Sequence, residues 1–444
     1  MTKQVFNFFL VSVFLVGCSV ASNVTETSIP SVTPLPPTAM PLIVISPDLT
    51  FTPTSLPSTV TPLLTSTPEE LRYQCLEIAD GVPPDQAMQG VLVFNNEDNT
   101  VAFLWNIQTG VETRFSRKEG ERLFDFAVSP DRKKVMYYGR LDGWVLTIAT
   151  DDGQPIWSQS VSTNNFVWAW FDNEHLLNLA YKQDTSYLVL LNPFTGEQQE
   201  LSTDFPYIDK EPWRIFHGFI ASFNRTVYDP TLTRVVYPEC DSACKERMHR
   251  NEPGWPVVLW DVEKGEVLAR LTTMDIYGNK PIWSPDGTQF IMSADTRPVK
   301  SVDLDDQADE FFVISREGQI RQLTHFRDQF SYSEIKGNYS LSPNGRLVAF
   351  WMIDKPRQPQ DARLTVVDTV TGEVTNYCIR GDPFVDNSDS LLAPIWSPDG
   401  TQMLVISRDP NDMSTRRVVV VDIVHGYATT IAKDVEPVGW MVEP

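Results

Sequence analysis

The chain has 444 residues, 42% of them hydrophobic, and its 58 acidic residues against 36 basic ones give a formal charge of -22. So acidic a surface repels phosphate backbones and anionic headgroups, which excludes nucleic acid as an expected partner; the same balance is an ordinary solubility setting of exported proteins. Length does not fix the domain count, because repeat folds add units without enlarging a central core.

Residues 1–17 carry one cation, Lys3, then an apolar run from Val5 to Val16 broken by Asn7 and Ser12. A run this short after a cationic start reads as a signal peptide and not as a spanning helix. Its end, Leu15-Val16-Gly17-Cys18, resembles a bacterial lipobox. The resemblance implies cleavage before Cys18, lipidation of that cysteine, and a lipid-anchored protein on the extracytoplasmic face of a bacterial membrane. Residues 18–70 are Thr, Pro and Ser with scattered Val and Leu, without Lys, Arg or Gly from Ser19 to Glu69. Such a composition makes no core; its prolines favour extended chain at about 3 Å per residue, a stalk with a reach on the order of 100 Å.

The body, 71–444, repeats itself. Pro281-Ile282-Trp283-Ser284-Pro285-Asp286-Gly287-Thr288-Gln289 recurs residue for residue as Pro394 to Gln402. Weaker copies are Val128-Ser129-Pro130-Asp131 and Leu341-Ser342-Pro343-Asn344-Gly345, with eroded ones at Trp170-Phe171-Asp172-Asn173 and Tyr228-Asp229-Pro230-Thr231. Pro presets φ, Asp or Asn bonds the backbone two residues on, and Gly takes the left-handed position, so each copy is a hairpin corner between apolar strands. A second series of corners ends at Gly110, Gly153, Gly196, Gly265, Gly318, Gly372 and Gly426. Four strands per unit at roughly 40 to 60 residues predict propeller blades, seven by this count. At the ends, Pro437-Val438-Gly439-Trp440 is an inner strand with nothing after it, and Gly90 to Phe94 opens a unit that lacks one. The C-terminal strand is therefore expected to complete the first blade and close the ring.

The Trp-Ser-Pro-Asp-Gly-Thr-Gln corners, with Phe311 to Gly318 and Gln322-Leu323-Thr324, resemble the TolB-type, WD-repeat-like propeller repeat over essentially the whole body. The resemblance implies the fold and a role in scaffolding protein contacts; the same blades also serve as gating domains of peptidases. It transfers no active site.

The residues themselves favour binding over catalysis. No Gly-x-Ser-x-Gly elbow occurs, and the five histidines fall in different units without His-x-x-x-His spacing. Ser284-Pro285-Asp286-Gly287 departs from the sialidase box by the residue between Asp and Gly. Neither an enzyme nor a cofactor is expected; the alternative kept open is a propeller enzyme acting on carbohydrate or peptide at the channel mouth. Asp303, Asp305, Asp306, Asp309 and Glu310 crowd one connection, either as a solvated loop or, with Asp303, Asp305 and Asp306 foremost, as a weak Ca²⁺ candidate. Beyond Cys18, four cysteines remain, and an even number in an exported chain suggests disulfides: Cys240 with Cys244 in one short loop, Cys75 with Cys378. The rival for the first pair is a metal site with His249.

If the strands of a blade are a to d from the channel outward, both short corners, a-b and c-d, lie on one face. The longer b-c and d-a connections gather on the other, including 238–255, 293–310, 353–362 and 407–416. Extra length on one face of a repeat fold is where function usually sits. Tyr207, Trp255, Arg297, Phe330, Tyr332 and Arg408 are its candidate interface anchors. The expectation is a monomeric, surface-anchored scaffold that meets an unidentified protein or peptide through this face.

Overall fold

The computed structural model describes residues 71–80, 88–96, 99–115, 118–161, 168–182, 185–201, 227–238, 257–271, 281–296, 307–356, 358, 361–382, 392–409 and 412–442. They form seven antiparallel blades. The chain opens with two short strands, β1 (Arg72–Tyr73) and β2 (Ile78–Asp80). Blade 1 takes β3 (Val91–Asn96), β4 (Ala102–Asn106), β5 (Glu112–Arg114) and, innermost, β30 (Val435–Met441). Blade 2 is β6 (Arg122–Val128), β7 (Lys134–Arg140), β8 (Trp144–Thr150) and β9 (Pro155–Val161); blade 3 is β10 (Trp168–Trp170), β11 (Leu176–Lys182), β12 (Thr185–Leu191) and β13 (Gln198–Leu201). Blade 4 is β14 (Val227–Tyr228), β15 (Arg234–Pro238), β16 (Val257–Asp261) and β17 (Glu266–Leu271); blade 5 is β18 (Ile282–Trp283), β19 (Gln289–Asp295), β20 (Asp309–Ser315) and β21 (Ile320–Gln322). Blade 6 is β22 (Glu334–Leu341), β23 (Leu347–Ile353), β24 (Arg363–Asp368) and β25 (Val374–Arg380); blade 7 is β26 (Ile395–Trp396), β27 (Gln402–Asp409), β28 (Asp412–Asp422) and β29 (Tyr427–Lys433).

The protein is an all-β, seven-bladed propeller. As the ends of the sequence required, β30 pairs antiparallel with β3, Leu92 opposite Trp440. The core is not central. Seven apolar clusters each join two successive blades, and the cluster of Leu92, Phe94, Leu404, Val418, Val420 and Trp440 joins the last blade to the first. Both faces of an inner or middle strand thus meet a neighbouring blade, which is why runs such as Val418-Val419-Val420-Val421 are apolar without alternation. Tryptophans of the inner strands lock these seams: the Trp170, Trp283 and Trp396 indoles donate to Ala127, Val227 and Ser340 carbonyls of the preceding blade.

The corners follow the sequence reading. The Ser284 hydroxyl donates to Asp286 at 2.6 Å, Asp286 in turn accepts from the Thr288 amide, and Gly287 has φ +67°. A Cβ on Gly287 would stand 3.1 Å from Pro230 of blade 4, and one on Gly345 3.2 Å from Pro285 of blade 5, so each corner glycine also leaves room for the proline of the blade before. In the weaker corner after Ser129 and the eroded one after Asp229, Arg132 and Leu232 hold this left-handed place without being glycine, at φ 61° and 58°. Arg132 uses its side chain: the guanidinium donates to the carbonyls of Trp396 and Trp440, fastening blades 7, 1 and 2 where the ring closes. Burial lowers its pKa to about 10, against the pull of Asp399.

The strands β1 and β2 were not foreseen. β1 pairs parallel with β25 and β2 parallel with β29, each adding a fifth strand to the outer edge of its blade. This strap runs from Leu71, buried in the seam of blades 5 and 6, past Leu76 and Ile78 on the seam of blades 6 and 7, to Met88 in the seam of blades 7 and 1. A disulfide joins Cys75 to Cys378 of β25, the pairing expected from the sequence. Cys240 and Cys244 lie outside the described residues. A second difference concerns 407–416, expected as a long connection: β27 and β28 carry the ladder on through Arg408 opposite Arg416, so most of it is strand.

Candidate functional site

The antiparallel order of each blade puts the b-c and d-a connections on one face, here called the loop face. Its described part includes the junctions of blades 5, 6 and 7. Tyr207, Trp255 and Arg297 fall outside the described residues, as do Asp303, Asp305 and Asp306. The other three anchor candidates are placed, and none stands free. Tyr332 is only 5% exposed: its ring packs in the seam of blades 6 and 7, and its hydroxyl donates to Glu334 at 2.7 Å. Phe330 is half-buried against the seam of blades 5 and 6. Arg408 donates from Nε to the carboxylate of Asp382 at 2.5 Å.

That carboxylate is the organising group of the blade 6–7 junction. Asp382 follows β25, is fully buried, and its other oxygen lies 3.1 Å from Nε of Arg416. Arg408 and Arg416 face each other across the β27–β28 hairpin, so one anion fixes both arms of that hairpin to the exit of blade 6. Arg417 next to them is buried and donates to the Arg408 carbonyl at 3.2 Å. The sequence singled out Arg408 of this set; nothing local marks Asp382 as its partner, 26 residues away.

At the blade 5–6 junction the acidic run departs from its reading as a solvated loop: its last two members, Asp309 and Glu310, are buried. Asp309 opens β20 and accepts from the Ile335 amide at 2.8 Å and from Gln307 Nε2 at 3.1 Å, while its own amide donates to Ser333. Burial pushes its carboxyl well above the ordinary range, and the nearby Asp295 and Glu334 add to the rise. Glu310 accepts from the Thr324 hydroxyl at 2.6 Å and from the Arg327 amide at 2.8 Å; burial raises it too, against these bonds. Asp309 thus ties blade 5 to the start of blade 6, and Glu310 holds the connection between them at Thr324 and at the 3-10 turn Phe326–Asp328. Among the described residues no group of three or more His, Cys, Asp or Glu side chains is set to hold a metal ion.

On the corner face, the histidines serve turns. The Nδ1 of His175 lies 2.9 Å from Asp172, and that of His425 lies 3.1 Å from Asp422. At the start of β22, Glu334 and Lys336 pair with each other at 3.4 Å.

No protein-family model matches the chain, and no curated protein matches it in sequence. Solved structures match in fold. Oligogalacturonate lyase from Vibrio parahaemolyticus is 15% identical, over 78% of this chain and 87% of that one, with a TM-score of 0.47. An acylaminoacyl peptidase from Pyrococcus horikoshii is 11% identical, over 70% of this chain, with a TM-score of 0.44; the match spans 45% of that chain. The tricorn protease is 9% identical, over 76% of this chain and 34% of that one, with a TM-score of 0.42. At such identities the likeness concerns the propeller architecture and nothing finer.

Proposed function

We propose that the chain is a surface-anchored lipoprotein whose TolB-like propeller serves as a binding scaffold, engaging a protein or peptide through the loop face. The observation that carries this reading is the strap. From Leu71 on, β1, the Cys75–Cys378 disulfide and β2 bind the chain in turn to the outer edges of blades 6 and 7. An attachment spread over two blade edges and a covalent link suits a body held by its N-terminal end; at its start the Leu71 amide donates to Gln329 Oε1 of the connection between blades 5 and 6. The charged groups of that face add support: Asp382 with its two arginines, Asp309 and Glu310 all brace the connections against each other, which pre-shapes a surface for a partner.

Two measurements test the reading. Replacing Cys18 by Ser is expected to move the protein from the membrane fraction to the soluble one; retention in the membrane would overturn the anchor. A photo-crosslinking side chain at Lys355, exposed on the loop face, is expected to capture one discrete partner in intact cells, whereas the same group at Val370, exposed on a c-d corner, captures none. Capture from Val370 alone would place the partner on the wrong face.

A further inference from the structure

Seven outer strands ring this molecule, and three of them, β9, β25 and β29, are seven residues long. The edges of β25 and β29 are taken by the strap. The edge of β9 ends its sheet, with no described strand beside it. A second property separates β9 from all the others. Each of β5, β13, β17, β21, β25 and β29 carries at least one of Glu, Arg or Lys, the usual protection of an edge against pairing, whereas Pro155-Ile156-Trp157-Ser158-Gln159-Ser160-Val161 carries no charge. Pro155 stands at the first position, so it leaves the amides from Ile156 onward in place. Ile156 is 45% exposed on this edge.

We propose that β9 is the surface through which two copies of this chain pair, edge to edge and antiparallel, across a two-fold axis. The charge pattern selects this occupant. In a two-fold contact each strand meets itself, so a charge close to the axis meets its own kind, and two bodies of formal charge -22 already repel. Among the outer strands the charge-free one is where two such bodies can bring backbones together at least cost. With the axis at Ser158, Ile156 lies opposite Ser160 and Trp157 opposite Gln159, so an apolar residue faces a polar uncharged one on each side. The fold itself shows that long outer strands of this ring accept a further strand, since β25 and β29 do so. One seven-residue edge makes a small interface, so the pair is weak in solution. This departs from the monomer expected from the sequence, and it does not depend on the lipid anchor, because it is tested on purified protein.

The test uses the full chain in detergent. With Ser158→Cys, mild oxidation is expected to give a covalent dimer on a non-reducing gel; Thr113→Cys, on the charged outer strand of blade 1, gives none. Adding Ile156→Lys to Ser158→Cys lowers the dimer yield about tenfold, and Ser160→Lys does the same, while circular dichroism melts stay unchanged because both residues lie on the exposed edge. Sedimentation velocity on the wild type should show a mass rising toward two copies between about 5 and 200 µM, and a single copy throughout for Ile156→Lys. Equal crosslinking at positions 158 and 113, or a wild-type chain that stays single over the whole range, overturns the proposal.

Discussion

At the corner face, Asp286 sits in a turn where the Ser284 hydroxyl and the amide and hydroxyl of Thr288 all donate to its carboxylate, holding it below the ordinary carboxylate range. At the loop face, Asp309 is sealed between blades 5 and 6 and held above that range by burial. The corner pattern repeats: Asp399 is likewise lowered, its bonds from Ser397 and Thr401 overcoming partial burial. The loop pattern does not repeat; Asp382 uses two arginines, Asp309 an amide and Gln307, Glu310 a threonine and an amide. One face is thus made by copying a unit and the other by individual solutions, which is what a fold does when its blades supply rigidity and its connections supply specificity.

The largest effect that would separate the faces is at the corner end of an inner strand. Trp396 is buried in the seam of blades 6 and 7, and its indole donates to the Ser340 carbonyl. Trp396→Ala should cost about 3–5 kcal/mol, read as a lowered denaturation midpoint. Because the lesion opens a seam, hydrogen exchange should rise on both blades together. A local increase in blade 7 alone would show that the blades are not coupled through these tryptophans.

The loop-face counterpart is Asp382→Ala. Two guanidiniums, each mostly buried, lose their anion, and removing one partner of a buried pair is costly; partial exposure of the arginines brings the expectation to about 2–3 kcal/mol. The expected signature differs from that of Trp396→Ala: increased exchange confined to the β27–β28 hairpin, and loss of the Lys355 crosslink to the partner beyond what stability explains. An Asp382→Ala protein that keeps its partner would make this junction structural and nothing more.

The unequal legibility of the two faces has the same origin. The corner face was readable because its chemistry is local: a Pro, an Asp and a Gly within four residues state a turn, and repetition identified the ring, its seven blades and the closing strand at Trp440. Cys75 with Cys378 was readable by pairing the cysteines. Contacts over long sequence distances left no local mark. Arg72–Tyr73 and Ile78–Asp80 are too short to show strand alternation, and their reason for being strands lies on β25 and β29, about 300 residues or more away. Asp309 and Glu310 looked like the tail of a solvated acidic run because the groups that satisfy them, the amides of Ile335 and Arg327 and the hydroxyl of Thr324, belong to other strands and turns. Arg132 in a glycine position was legible only as a weaker copy of the corner; its use is the carbonyls of Trp396 and Trp440.

The smallest effect is a change of slope with pH, and it takes opposite signs on the two faces. Asp286 and Asp399 have lowered values in the folded chain, so their contribution is complete above the unfolded carboxylate range, about pH 4, and is lost as pH falls through the folded values. Asp309 has a raised value, so its contribution is complete below about pH 4 and is lost as pH rises through the folded value. Stability should therefore pass through a maximum, with the acid limb set by the corners and the alkaline limb in part by Asp309. Asp309→Asn keeps an oxygen to accept from the Ile335 amide but cannot ionise. Thermal midpoints measured from about pH 2 to 9 should then fall less on the alkaline side than in the wild type, while the acid limb is unchanged; Asp286→Ala should flatten the acid limb and leave the alkaline one. If Asp309→Asn alters neither limb, the carboxyl is ionised throughout and the blade 5–6 junction carries its charge.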